Sequence, residues 1–126
     1  MSTMVQVIHP SDFLRVRADG KADLATGKVL LAEIAQAGAR LDHYEVLIDI
    51  RDAEGQLTAD ELHDLAGCLI NFRGTFLHRT AILCPRARFD NVRFFSLLAA
   101  SHGFQRIRAF LAYEDAMEWL LAPADA

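Results

Sequence analysis

Cysteines, histidines and clustered charges are the side chains of this 126-residue sequence equipped for chemistry. Cys84 precedes Pro85 at the end of the apolar run 79–84, at a strand end of the kind where α/β sites collect. A nucleophilic thiol there would need a neighbouring base and a helix N-terminus. The next helix start falls near Asp90, whose charge opposes a thiolate, so Cys84 reads as a buried structural thiol. Cys68, between Gly67 and Leu69, reads as packing. His63, His78 and His102 supply metal-ligand types alongside Cys84, yet no pair has the short His-x-x-x-His spacing. Asp49, Asp52 and Glu54 gather near one strand end, either to hold a divalent ion or, as loop acids, to pair with Arg86 and Arg88. The stretch 18–23 has a single Gly and no Gly-Lys-Ser/Thr after it, and no Gly-x-Ser-x-Gly elbow occurs. The expectation is a non-enzyme without metal or cofactor.

Charge is distributed unevenly. Residues 1–70 hold 6 basic and 12 acidic side chains, whereas 71–110 hold seven arginines against Asp90 alone. Eleven of the 13 basic residues are Arg, which favours forked recognition of carboxylates and phosphates. Those arginines either pair with first-half acids across the fold or form a surface for an anionic ligand. Arg51 ends one apolar run, and Arg86 and Arg88 follow the next. If the two strands are neighbours, all three arginines form a rim for an anionic small molecule, a lipid headgroup or a partner. A formal net charge of −4 with scattered arginines argues against nucleic acid.

The elements that must position these residues follow from periodicity. Residues 4–8 and 13–18 alternate apolar and polar as two strands around a turn at Pro10, with Asp19-Gly20 ending the second. Asp23 caps a helix whose face is Leu24, Gly27, Leu30, Leu31 and Ile34, stopped at Gly38. Residues 45–50 read as a buried strand and 51–57 as a polar loop. Thr58 and Glu61 make a capping box for a second helix with the stripe Leu62, Leu65, Ala66, Leu69 and Phe72, closed by Gly74. A strand over 79–84, a helix from an Asp90 cap to His102, a strand over 106–112 and a helix over 114–121 complete the chain. The order is β-β-α-β-α-β-α-β-α. This predicts one α/β domain over 1–126, with a mixed, mostly parallel five-stranded sheet, four helices and the first strand antiparallel at an edge.

Composition fits that reading, with 52% hydrophobic and 24% charged residues. The longest charge-free stretch, 94–105, is 12 residues, short of the ~20 a spanning helix needs. No basic region precedes an apolar N-terminal segment, and two cysteines make no disulfide framework, so a cytoplasmic protein is expected.

Three segments carry a family resemblance: Val46-Leu47-Ile48-Asp49-Ile50-Arg51, Thr80-Ala81-Ile82-Leu83-Cys84, and the ending from Arg108-Ala109-Phe110 through Tyr113-Glu114-Asp115-Ala116 to Trp119-Leu120. Together they resemble STAS domains (sulfate transporter and anti-sigma-factor antagonist), especially the stand-alone bacterial, sporulation-antagonist-like branch. The resemblance implies a non-catalytic regulatory module that switches protein partners, often through phosphorylation at the start of the helix after the central strand. Thr58 occupies that position, although Gln56-Leu57-Thr58-Ala59-Asp60 departs from the family's Asp-Ser-Ser-Gly-type motif. Asp60 and Glu61 would repel an added phosphate, so a plain helix cap is the competing role for Thr58. A different function, carriage of a small molecule or lipid in an apolar pocket, fits the same elements.

The third helix adds a surface. Val92, Phe95 and Ala99 align on one face, and Phe94, Leu97 and Leu98 extend over another. Phe94, Leu97 and Leu98 are therefore the expected dimer surface of a symmetric homodimer.

Overall fold

The computed structural model describes residues 3–8, 13–39, 41 and 44–123. Its elements are β1 (Thr3–Ile8), β2 (Phe13–Lys21), α1 (Leu24–Gly38), β3 (Glu45–Glu54), α2 (Ala59–Cys68), β4 (Thr80–Leu83), α3 (Phe89–Ser101), β5 (Ile107–Phe110) and α4 (Tyr113–Leu121). Strands β2 to β5 lie side by side in chain order and run parallel, which makes the fold α/β. Strand β1 pairs antiparallel with β2, Thr3 opposite Ala18 and Ile8 opposite Phe13. The turn expected at Pro10 lies outside the described residues.

Sequential order has one strong consequence. Each parallel crossover is right-handed and steps in the same direction, so all three connecting helices pack on one face of the sheet. That face holds the larger core: Leu14 and Val16 of β2, Val46 and Ile48 of β3, and Ile82 of β4 meet Ile34 of α1, Leu62 and Ala66 of α2, and Phe95 and Ala99 of α3. Among the described residues, α4 alone covers the other face, where Ala116 and Leu120 sit on Leu47, Ala81 and Leu83. Strands β3 and β4 read as continuous apolar runs because both their faces are buried.

Five expectations of element boundaries are corrected. Strand β2 does not end at Asp19-Gly20, nor does β3 become a loop at Arg51. Both continue as a paired ribbon, with Asp19 opposite Asp52 and Lys21 opposite Glu54 after a register irregularity between Arg17 and Asp19. Gly74 does not close α2. The α-helix ends at Cys68, tightens into a 3-10 turn over Leu69–Phe72, and gains a further helical turn over Arg73–Phe76 that buries Thr75 and Phe76. Asp90 is not the cap of α3, because a 3-10 turn over Arg86–Arg88 leads in and the helix starts at Phe89. Asp90 sits in the first turn, where an acid favours the helix dipole. Finally, the strand expected over 106–112 pairs only through Ile107–Phe110.

The stops at the other helix ends have direct causes. Gly103 takes φ +94 after α3, a left-handed conformation that costs a glycine little. At Gly38, a Cβ would lie 2.5 Å from the Tyr44 hydroxyl, which donates to Thr75 Oγ1 at 3.2 Å. Only a glycine lets α1 end against that ring.

Candidate functional site

The described chain contains an apolar pocket at the C-terminal ends of the parallel strands, where α/β folds place their ligands. Its volume is about 130 Å³. Ile48, Ile50 and Ile82 form the floor from the sheet, Leu30 and Leu31 come from α1, Leu62 and Leu65 from α2, and Val92 and Phe95 from α3. Ala22, Gly27 and Gly55 line the same end, and their short side chains leave space that the larger residues do not fill. Arg88, Asn91 and Gln56 supply its polar side chains. Arg88 apart, these lining residues were not singled out as a site from the sequence. The signal was present in parity: Ile48, Ile50 and Ile82 face the same helices that contribute Leu30 and Phe95.

Arg88 is held at this pocket by backbone. One guanidinium N–H donates to the Ile50 carbonyl at 3.0 Å and another to the Gly55 carbonyl at 3.3 Å. Asn91 Nδ2 donates to the Leu57 carbonyl at 3.0 Å, pinning the 50–57 segment to the start of α3. The three arginines expected to share a rim do not come together. Arg51 lies on the opposite face of the sheet, because it shares its side of β3 with Asp49. Its Nε and Nη2 bond the two carboxylate oxygens of Asp49 at 3.1 and 2.9 Å. Arg86 is exposed and does not line the pocket. Of the three, Arg88 lines the pocket.

Asp49 is buried, and burial pushes its carboxyl up. Hydrogen bonds from the Arg51 side chain and backbone N–H, with the guanidinium charge, outweigh that and hold it below the usual carboxylate range. Asp52 is taken by Arg17 at 2.7 Å. The Asp49, Asp52 and Glu54 cluster therefore does not form, and no group of three or more His, Cys, Asp or Glu is placed to hold a metal among the described residues.

The basic stretch 71–110 is engaged mainly by carbonyls and rings. Buried Arg79 donates to the carbonyls of Trp119, Ala122 and Pro123, closing the C-terminal end of α4. Arg108 lies over Phe110 and Trp119, 5.6 and 5.3 Å from their centroids. First-half acids are drawn instead to bases of their own half: Asp49 to Arg51, Asp52 to Arg17 and Asp64 to Lys28. Arg79 and Arg106 act on Glu45 as nearby charges, but its burial outweighs them and raises that carboxyl.

The remaining chemistry-bearing residues are dispersed. Cys84 is buried, and burial raises its thiol to about 11, far from a nucleophile's range. Its Sγ faces the Phe110 carbonyl at 3.6 Å. Both cysteines are free thiols. His63 meets Phe94 edge-on at 5.8 Å, His78 stacks near Tyr44 at 4.2 Å, and His102 follows α3 as its C-cap. Thr58 is exposed and accepts the Glu61 N–H while the Glu61 carboxylate accepts the Thr58 N–H at 2.9 Å, a complete capping box. On α3, Val92, Phe95 and Ala99 face the core, as their register predicts. Leu97 is 63% exposed and Phe94 37%, whereas Leu98 packs partly against the core. No helix among the described residues is long and apolar enough to cross a membrane.

No family model matches the chain, and no curated protein matches it.

Proposed function

We propose that this chain is a non-enzymatic binding module of STAS-like architecture, and that it works by taking a small apolar group into the pocket between α1, α2 and α3. The observation that carries the reading is the pocket itself: about 130 Å³ of apolar space at the C-terminal strand ends. Apolar cavities near that size stay dry and accept a ring-sized guest. The groups that catalysis would use are committed elsewhere, with the Cys84 thiol raised, Asp49 held by Arg51 and the histidines dispersed.

Toluene tests this directly. It should raise the melting temperature of the wild type by mass action and shift the NMR signals of Leu30, Ile48 and Phe95. Leu65→Phe, which extends a side chain lining the cavity, should remove both responses. Toluene without effect near its solubility limit would defeat the pocket reading.

A second reading, the partner-switching module, is favoured by the exposed apolar pair Phe94 and Leu97 beside His63. The occupant in this reading is a second copy, since a two-fold contact buries each side chain twice. Light scattering should give a dimer for the wild type and a monomer for Phe94→Asp. A wild-type monomer at tens of micromolar would sink it.

A further inference from the structure

The ligand class follows from what stands at the pocket's mouth. We infer that the pocket takes a small amphipathic monocarboxylate, a ring or branched body of roughly six carbons among Leu30, Ile48, Ile82 and Phe95 with its carboxylate on Arg88. This deepens the pocket reading above and rests on it.

Size sets the first limit. Pockets for drug-sized molecules run to about 300–1,000 Å³. At about 130 Å³ this cavity is too small for a long acyl chain and close to the space that holds one benzene-sized guest. The lining sets the second: most of its side chains are Leu, Ile, Val or Phe, so the guest's body is apolar.

Charge sets the third. Arg88 is the charged side chain of the lining. A guanidinium has five N–H donors. The two that bond the Ile50 and Gly55 carbonyls fix the plane of the fork without neutralising it. Arg88 makes no ion pair among the described residues. A half-buried cation beside apolar space is best compensated by an anion that reaches it through that space, and the fork matches a carboxylate in particular. Asn91 stands beside it with its amide oriented by the Leu57 carbonyl, leaving its own carbonyl oxygen and second N–H for the ligand or a bridging water. One cation favours a monoanion. A dianionic phosphate would draw on Arg51 and Arg86 as well, and neither lines this pocket.

Benzoate and benzyl alcohol separate the two levels of the claim, because they share size and ring and differ in charge. Titrated into the wild type at pH 7 and followed by NMR, benzoate should bind at least tenfold more tightly than benzyl alcohol. Arg88→Met should abolish that preference. Arg88→Lys, which keeps the charge and loses the fork, should retain part of the preference and guards against a Met variant that folds poorly. Equal affinities in the wild type, or a benzoate preference surviving Arg88→Met, overturns the carboxylate assignment and leaves the apolar pocket standing. Binding of neither probe overturns both.

Discussion

The two faces of the sheet are built by different means. One face buries β2 through β5 under three helices, each brought there by a right-handed crossover between adjacent strands. The other carries, among the described residues, α4 alone, over Leu47, Ala81 and Leu83. On β2 the same face presents Arg15, lying 5.8 Å over the Tyr113 ring at the start of α4, and Arg17, paired to Asp52. Helices α1 and α2 begin with capping boxes, at Asp23 with Thr26 and at Thr58 with Glu61, whereas α3 on the same face and α4 on the other begin with no side-chain cap. On the crowded face α2 packs against both α1 and α3, so the helices brace one another and can leave space at one end without losing the fold.

The largest effect should come from the crowded face. Ile34 is fully buried, and Ile34→Ala should cost about 2–5 kcal/mol in urea unfolding, with every probe reporting one transition. Leu120→Ala, under α4, should fall nearer to about 2 kcal/mol because the surrounding helix can settle. It should also lower hydrogen-exchange protection in α4 far more than in α2. Uniform loss of protection across both faces would mean that the two layers fold as one unit and that the contrast has no energetic content.

Much of this division was legible in the sequence. Strand β2 alternates, with Leu14, Val16 and Ala18 buried and Arg17 exposed, while 46–49 and 80–83 are buried throughout. Alternation marks a strand with one covered face, and a continuous run marks one with two. The ribbon formed by 19–21 and 52–54 was not legible, since its pairing runs through backbone groups that hydropathy does not register. The switch of α2 into a 3-10 turn was hidden for a related reason. Leu69 remains in the core through the tighter turn, so the apolar spacing reads like an uninterrupted helix. As for the arginines, parity along β3 already placed Arg51 with Asp49. The expected rim rested on adjacent strand ends, and adjacency alone does not fix the face on which a side chain lies.

Asp49 gives the contrast a pH signature on the α4 face. Its carboxyl is held below the usual range in the folded protein, so its stabilising contribution is present above the unfolded value of about 3.9 and is lost as pH falls through the folded value. Asp49→Asn should flatten the acid limb of stability against pH. Arg51→Met should leave a buried carboxylate with only its backbone donor, costing about 1–3 kcal/mol at pH 7. In that variant the carboxyl rises toward its unfolded value, so the acid limb of stability should be shallower than in the wild type. An unchanged acid limb in Asp49→Asn would show that the pair contributes nothing there.

The smallest effects concern the caps, and they should act in opposite directions on the two faces. Thr58→Ala removes the acceptor for the Glu61 N–H and should cost about 0.5–2 kcal/mol, while Thr58→Asp keeps an acceptor and should cost less. At the start of α4, Ala112 already has the extended conformation of a cap, φ −118 and ψ 137, and Asp115 stands three residues on. Ala112→Ser should therefore create the missing Ser-x-x-Asp pair and add about 0.5–1 kcal/mol. Because α4 is the cover of its face among the described residues, that gain should appear first as slower hydrogen exchange in Tyr113–Leu121. Leu120→Ala should likewise lose less when combined with Ala112→Ser than when made alone. If Ala112→Ser leaves exchange in α4 unchanged, the helix is limited by its packing on Leu47 and Leu83 and not by its uncapped start.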